Sequence, residues 1–546
     1  MSPAAGTLGG VQESPRPAGA LPKGRLFGRN VLEGTFRAAP DEDLFLGELL
    51  VGVDAATDRR YLFRVVDVTY GTEHREPGWA ERVAGTLLAD DARGESGMHP
   101  LHEQERRTYR VAECRCLGYL APADPVAGGT RTVFRKPKSL PSQFSAVVAP
   151  QAEDFAFLRE RMGDLPVGRL RSGETVVDFR VGIPGASLRT HVGIFATTGM
   201  GKSNLMQVLA GGVMRANGRY ALLVVDPHGE YRNALSRHPW AAHALRVYAN
   251  RSLPGSSALR VSLAELTVDD LRTAYEWTRP QEEAVYELER HYGGEGLAWL
   301  AQFARVDDLP GFREVELSSR VALNTLQVVH RRARRIVDLR CIATDPGLSA
   351  GGRIVDDLLS GKVVLVDVSG LGSTEEVLVA SLLTRRVLET WQGAYLDDEE
   401  RHGRMPVVSV ALEEAQRVLG ASKDRESNVF PRVAREGRKF KVGLCAVTQQ
   451  PRLLDDELLS QFNTFFILGL ADEKDRNVLR SSAKQDISAQ GAEIQTLMPG
   501  ECLIVNLEAP FAVPALIDHY PALVRDTPPP PAARPAAPAN VSALVD

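Results

Sequence analysis

The stretch His191–Leu205, HVGIFATTGMGKSNL, constrains the fold more than any other part of the chain. An apolar run, Val192–Phe195, leads into Thr197-Thr198-Gly199-Met200-Gly201-Lys202-Ser203. Apolar residues at helical spacing follow, with Leu205, Val208, Leu209 and Val213. Strand, glycine-rich loop and helix in that order are the context a phosphate-binding P-loop requires. The glycines let backbone N–H groups converge on phosphate oxygens, and the new helix adds its positive end. Thr198, Gly199, Met200, Gly201, Lys202, Ser203 and Asn204 form the candidate cradle. Lys202 is expected to reach the β- and γ-phosphates, and the Ser203 hydroxyl to ligate Mg²⁺. Ala196 stands where the G-x-x-x-x-G-K-[ST] pattern begins with Gly, and its small side chain makes this a variant rather than an exclusion. The expected cofactors are ATP and Mg²⁺.

A length of 546 residues suggests two to four domains. The net charge of −5 argues against a globally basic nucleic-acid binder but leaves room for a locally basic channel. Cys114, Cys116, Cys341, Cys445 and Cys502 are scattered, and no second pair completes a zinc site around Cys114-x-Cys116. That usage fits a reducing compartment. The first residues lack the charged start and apolar run of a signal peptide. No apolar run approaches the roughly 20 residues needed to span a bilayer. The expectation is a soluble, cytoplasmic protein without a membrane partner.

Composition divides the chain. Residues 1–22, rich in Pro, Gly and Ala, read as a disordered lead. Residues 23–150 carry short runs of Val, Phe, Leu and Tyr at 24–31, 43–51, 61–69, 108–119 and 132–134, the spacing of a small barrel or sandwich. The polar stretch 74–106 reads as an insertion. Residues 151–520 alternate strand-like and helix-like segments, with strands expected at 192–196, 221–226, 363–368, 407–412, 442–448, 464–470 and 501–506. Such alternation predicts a mostly parallel sheet covered on both faces. Residues 264–345 interrupt it with helix-like segments, read as an inserted helical subdomain. Residues 521–546, with Pro528-Pro529-Pro530-Pro531, read as a flexible tail that can still dock on a neighbouring subunit.

Further residues with chemical potential follow the P-loop in order. Val224-Val225-Asp226-Pro227-His228-Gly229-Glu230-Tyr231 ends a strand beside the loop, where polar groups face a nucleotide crevice. A lone Asp at such a place is commonly a helix cap. Here Asp226 is taken as a nucleotide-site candidate because of the compact run around it. The strand Val407–Leu412 ends in Glu413-Glu414-Ala415-Gln416. Glu413 is assigned to the metal and Glu414 to the attacking water. Gln449, directly after the apolar strand Val442–Thr448, is the candidate sensor of the γ-phosphate. Arg435 and Arg438, in Arg435-Glu436-Gly437-Arg438-Lys439-Phe440-Lys441, are candidates for an arginine offered across a subunit interface, Arg438 before Arg435. Arg189 is the candidate for phosphate contact in cis. The run Arg331-Arg332-Ala333-Arg334-Arg335 either meets DNA or caps its helix and pairs with Asp338. Lys423 and Arg425, in the polar loop Ser422–Ser427, are candidate DNA-backbone contacts.

The P-loop, then D-P-H-G-E-Y, E-E-A-Q, R-E-G-R-K-F and T-Q-Q-P, in that order, resemble the HerA group of the FtsK–HerA translocases. The likeness extends over about residues 24–520. It implies an α/β P-loop NTPase of RecA-like design with an N-terminal small β-barrel of the HAS type and an inserted helical subdomain. It further implies a homohexameric ring with ATP between subunits and double-stranded DNA in the channel. Lys202, Ser203, Glu413, Glu414 and Gln449 would act in one subunit and Arg438 in the next. The barrel would seat a partner nuclease, NurA-like. Two departures stand out: Ala196 in the loop, and Gln416 where many relatives carry His.

Two functions follow as expectations. The first is an ATP-dependent duplex DNA translocase or helicase working with a nuclease in end resection and double-strand break repair. The second is an ATPase ring that scaffolds and regulates an effector enzyme in an antiviral defence complex. A membrane-anchored pump fits poorly because no spanning segment is apparent, and no Asn-Lys-x-Asp signature supports a GTP switch. No nuclease motif is apparent.

Overall fold

The computed structural model describes residues 22–531, apart from 29, 40–41, most of 73–107, 123–131, 318–319, 344 and 421–427. The expected lead, most of the polar stretch 74–106, Lys423, Arg425 and the end of the expected tail lie outside the described residues. The chain divides into two compact units, one covering Met1–Asp154 with Ser172–Glu174, the other Phe155–Arg171 with Thr175–Asp546.

In the first unit, β1 (Gly24–Leu26), β2 (Glu33–Ala38), β3 (Leu49–Asp54), β4 (Arg59–Thr72), β5 (Thr108–Ala121), β6 (Val133–Arg135) and β7 (Ala146–Val148) form one antiparallel sheet. The order β2-β1-β7-β3-β4-β5 closes on itself because β2 also pairs with β5, and β6 adds to the outside of β5. Closure leaves no free edge among the six ring strands. Alternation of side chains sends Phe36, Leu50, Tyr61, Phe63, Cys114 and Cys116 inward. Strands β2 and β7 were not legible in the sequence, being short and broken by charged or small residues.

The second unit is built on a twelve-stranded sheet. Its strands are β8 (Leu165–Ser172), β9 (Thr175–Ile183), β10 (Val192–Phe195), β11 (Tyr220–Asp226), β12 (Leu245–Ala249), β13 (Ser257–Ala258), β16 (Val363–Asp367), β17 (Val407–Glu413), β18 (Val442–Thr448), β19 (Thr464–Ile467), β20 (Glu501–Asn506) and β21 (Val513–Ile517). From β13 through β12, β16, β11, β17, β18 and β10 to β19, every neighbouring pair is parallel. Beyond β19 the pairing turns antiparallel through β20, β21 and β8. The all-apolar central strands, such as Val363–Leu365 and Val442–Ala446, are buried throughout, as strands covered on both faces must be.

The interruption at 264–345 has a defined root. Strands β14 (Val261–Ser262) and β15 (Ile342–Ala343) pair in parallel and bring its two ends together. Between them run helices Val268–Ala274, Arg279–Tyr292, Leu309–Val315 and Leu323–Val337. Their apolar faces, with Leu271, Val285, Leu288 and Val329, and the side chains of Trp299 and Phe303 at the short helix Leu300–Phe303 between them, belong to the same continuous core as Val225, Val366 and Val410 of the sheet. One correction concerns the C-terminal end. Residues 521–526, expected as tail, belong to the helix Tyr520–Asp526. Tyr520 is buried against His238, and the Trp240 indole donates to the Pro528 carbonyl, so this segment is held by packing that its proline-rich continuation concealed. Among the described residues no helix is long and apolar enough to cross a membrane.

Candidate functional site

In a parallel sheet, whatever follows a strand lies at the carboxyl edge and whatever precedes it lies at the opposite, amino edge. This rule sorts the candidate residues. The loop after β10 and the residues after β11, β17 and β18 share the carboxyl edge, where ligands of open α/β sheets bind.

The loop itself turns at Gly199 and Gly201, whose φ values of 85° and 103° are costly for any residue with a Cβ. A Cβ at Gly199 would meet nothing within 4 Å, so that glycine serves backbone conformation and open approach. The 14-residue helix Lys202–Arg215 starts from Gly201 without a side-chain cap, leaving its first N–H groups without intrahelical partners. Ala196 is fully buried and does not have a positive φ, so this position does not need glycine. Its carbonyl accepts a hydrogen bond from Lys202 Nζ at 3.2 Å. Thr197 N–H is held by the Gly469 carbonyl at 2.9 Å, and Met200 O accepts from Gly500 N–H at 3.1 Å.

Around this loop the structure gathers three polar pairs. Ser203 Oγ donates to Glu230 Oε2 at 3.0 Å. The Tyr231 hydroxyl donates to Glu413 Oε1. Thr198 Oγ1 donates to Gln449 Oε1, while Gln449 Nε2 faces Glu414 Oε1 at 3.5 Å. Glu414 has φ 49°, a left-handed conformation that a non-glycine residue adopts at a cost, and such strain is concentrated at functional sites. Its Oε2 accepts from Gln416 Nε2 at 2.6 Å, and Gln416 Oε1 accepts from Thr448 Oγ1 at 2.6 Å.

The electrostatics follow from burial. Burial pushes the Glu413 carboxyl up to about 7; Asp226 and Glu230 add to the rise, while the Tyr231 hydroxyl and Lys202 oppose it. Burial pulls the Lys202 ammonium down, against the raising effect of Glu413, Glu414 and Glu230. A cation at this edge therefore meets a concentration of carboxylates. Magnesium prefers hard oxygen donors and keeps several waters, which suits the Ser203 hydroxyl with Glu413 and nucleotide phosphates. Among the described residues no cluster of three His, Cys, Asp or Glu makes a cage of its own.

Several candidates sit elsewhere than the sequence suggested. Asp226 is fully buried, and its carboxylate accepts from the N–H groups of His228, Gly229 and Tyr231. It shapes the turn, and the side chains that reach the loop are Glu230 and Tyr231. The D-P-H-G-E-Y run held that signal, because Gly229 at φ 71° folds Glu230 back toward Ser203. The Asn204 amide bonds the Asp518 carbonyl and the Tyr520 N–H, both at 2.9 Å, and so anchors the C-terminal helix rather than facing a ligand. Arg189 precedes β10, beside Gly443 at the start of β18, and its charge adds to the burial that depresses the Lys441 ammonium pKa. It therefore lies at the amino edge, about 13 Å of strand away from the loop, and cannot touch a phosphate there in cis. Arg435 and Arg438 precede β18 and lie at the same amino edge, both exposed. Arg332 stacks on Trp277 at 4.4 Å and donates to the Glu276 carbonyl, and Arg335 pairs with Glu375 at 3.1 Å instead of Asp338. Arg331 and Arg334 are exposed one turn apart.

Comparison with known proteins finds similar sequences over much of the chain. Residues 165–387 match the family described as helicase HerA, central domain. The DNA double-strand break repair helicase HerA of Sulfolobus acidocaldarius is 23% identical over 409 residues, 72% of this chain and 74% of the relative. That of Saccharolobus solfataricus is 24% identical over 389 residues, 69% of this chain and 73% of the relative. Among solved structures, the bacterial conjugative coupling protein TrwB superposes with a TM-score of 0.45 at 14% identity, covering 62% of this chain and 88% of its own. Residues 165–387 are thus similar to the central domain of the HerA helicases, and similarity to HerA helicases extends over about 70% of the chain.

Proposed function

We propose that this protein is an ATP-driven motor on duplex DNA, with a RecA-like core that assembles into a homohexameric ring and works beside a partner nuclease in end processing. One observation carries the reading: Lys202, Ser203, Glu413, Glu414 and Gln449 share the carboxyl edge, while Arg435 and Arg438 stand exposed at the other. On this reading a single chain carries one ATP site and, on its far side, offers arginines to the site of another copy. The HerA relatives, named as double-strand break repair helicases, support the same reading.

In this mechanism the loop N–H groups and Lys202 hold the triphosphate. Ser203 and Glu413 would hold Mg²⁺, which would supply neutralisation of the phosphate charge. Glu414 accepts the proton of the attacking water on the oxygen that Gln416 leaves free. Gln449 lies between Thr198 and Glu414 and couples the loop to that base. Arg438 of an adjacent copy stabilises charge on the transferred group, with Arg435 as its neighbour. Lys423 and Arg425 contact the DNA backbone, which carries no sequence information, so translocation is sequence-indifferent.

ATP hydrolysis measured with and without linear duplex DNA tests this. DNA-stimulated turnover that vanishes in Lys202→Ala is expected. Turnover surviving that substitution would sink the proposal.

A further inference from the structure

Lys441 stands in the left-handed backbone region, with φ 61° and ψ 24°. A residue with a Cβ adopts that conformation at a cost, whereas glycine adopts it freely. A long charged side chain held there calls for a compensating contact, and Lys441 makes three. Its ammonium donates to the carbonyls of His402, Gly403 and Met405, at 2.7, 2.8 and 3.2 Å. These carbonyls close the helix Glu399–Arg404 and lead into β17. The last carbonyls of a helix lack intrahelical partners, and a lysine ammonium satisfies them while countering the negative end of the helix.

The backbone of the same residue is engaged as well. Its carbonyl accepts from Val408 N–H at 2.9 Å, and its own N–H donates back to the Arg438 carbonyl at 3.5 Å. Side chain and backbone together fasten the turn Gly437–Phe440 to the start of β17. The turn is held at other points too. Phe440 is buried and packs edge-on against Tyr395 of the helix Ser373–Asp397, with ring centroids 5.3 Å apart. At Gly437 a Cβ would come within 2.4 Å of the Val442 carbonyl, so the backbone there is closely seated. Between these anchors Arg438 and Lys439 are exposed.

Resting on the reading that Arg438 serves the site of an adjacent copy, we propose that Lys441 is a positioning residue for Arg438. Its ammonium clamps the turn so that the guanidinium is presented in one place at the amino edge. The clamp and the P-loop stand at opposite edges of the sheet, so Lys441 bears on hydrolysis through the arginine and not through the ATP site of its own chain. Misplacing a reacting group by about 1 Å costs up to about 10²-fold in rate.

The test co-expresses pairs of full-length variants and measures ATP binding and turnover. Lys441→Gly removes the ammonium and relieves the backbone strain. Lys441→Met keeps the stem and removes the charge, and it carries the same test should the glycine loosen the fold. Each alone is expected to bind ATP as the wild type does and to lose about ten- to a hundredfold in kcat with KM little changed. Paired with Lys202→Ala, each should regain turnover, because its intact loop then receives a well-placed Arg438 from the other copy. Paired with Arg438→Ala, neither should, because both copies then lack a usable arginine. Recovery with Arg438→Ala but not with Lys202→Ala would put the defect in the variant's own ATP site, reached along β18 to Gln449, and would overturn the proposal. Wild-type kcat in a folded variant would overturn it as well. If Lys202→Ala and Arg438→Ala fail to recover activity with each other, the trans role of Arg438 falls instead, and the positioning role with it.

Discussion

Gln416 holds Glu414 in place: its Nε2 donates to Glu414 Oε2 at 2.6 Å, while its Oε1 accepts from Thr448 at the end of the adjacent strand. The bond fixes one carboxylate oxygen and directs the other toward Gln449. Glu414→Gln is expected to lower ATP turnover by roughly 10²- to 10⁴-fold with nucleotide binding retained, the usual loss when a general base is neutralised. Gln416→Ala leaves the base in place but loosens it, so a smaller loss, about tenfold, is expected in kcat with KM little changed. Steady-state kinetics of both variants check this. A Gln416→Ala enzyme with wild-type kcat would remove the positioning role.

The amino-edge placement of Arg438 leads to a mixing experiment. Lys202→Ala and Arg438→Ala should each lose most turnover, since a trans arginine is worth about 10³- to 10⁵-fold. A mixture of the two chains should regain activity. Where the intact loop of an Arg438→Ala copy meets the intact arginine of a Lys202→Ala copy, the site is complete. Mixtures no more active than the average of the two variants would argue that Arg438 has no role in trans, and the same experiment with Arg435→Ala decides between the two arginines.

The central strands and the loop were legible because their signals are local. Apolar runs such as Val363–Asp367 and Val442–Thr448 can be little other than buried strands. The acids Glu413 and Glu414 follow directly from the end of such a run. What the sequence concealed depends on contacts between distant segments. Asp226 looked like a site residue, yet its carboxylate is consumed by the N–H groups of its own turn, and Glu230 reaches Ser203 instead. Arg189 is near the loop in sequence but is separated from it by the length of β10. Strands β8 and β9 carry charged residues such as Arg169, Asp178 and Arg180 that blur their period, and only pairing of β8 with β21 at the sheet's margin reveals their place.

The helix Tyr520–Asp526 offers a stability test. Tyr520 is 1% exposed and stacks on His238 with ring centroids 6.3 Å apart. Truncation to Ala removes a large buried ring and is expected to cost about 3 kcal/mol. The same change loosens the segment that Asn204 fastens to the P-loop helix, so nucleotide affinity should fall along with the unfolding midpoint. Denaturant titration with and without ATP separates the two effects. A smaller ATP-induced rise in midpoint than wild type is the expected result, and an equal rise would show that the helix does not bear on the site.

His191 makes stability depend on pH in a defined window. It sits just before β10, where Leu444 N–H donates to its Nδ1 at 3.0 Å and its Nε2 bonds the Ala434 carbonyl at 3.0 Å. That pattern requires the neutral ring: Nδ1 must keep its lone pair, and Nε2 must carry the proton. Burial holds the imidazole down at about 4, against an ordinary value of 6.5, with the Ala434 carbonyl acting weakly in the other direction. Between these two values the unfolded chain binds a proton that the folded chain refuses, so stability rises with pH there. The contribution is whole above pH 6.5 and is lost as pH falls toward 4. It approaches about 3 kcal/mol, since each tenfold difference in proton affinity between the folded and unfolded chain is worth roughly 1.4 kcal/mol. His191→Gln removes the titrating group. The variant should be less stable than wild type at pH 7.5, because the two bonds joining β18 and helix Val429–Glu436 are altered, yet lose less of its stability between pH 6.5 and 4.5. Denaturation midpoints of both proteins across that range decide the matter. Parallel pH profiles would assign the acid sensitivity to other groups.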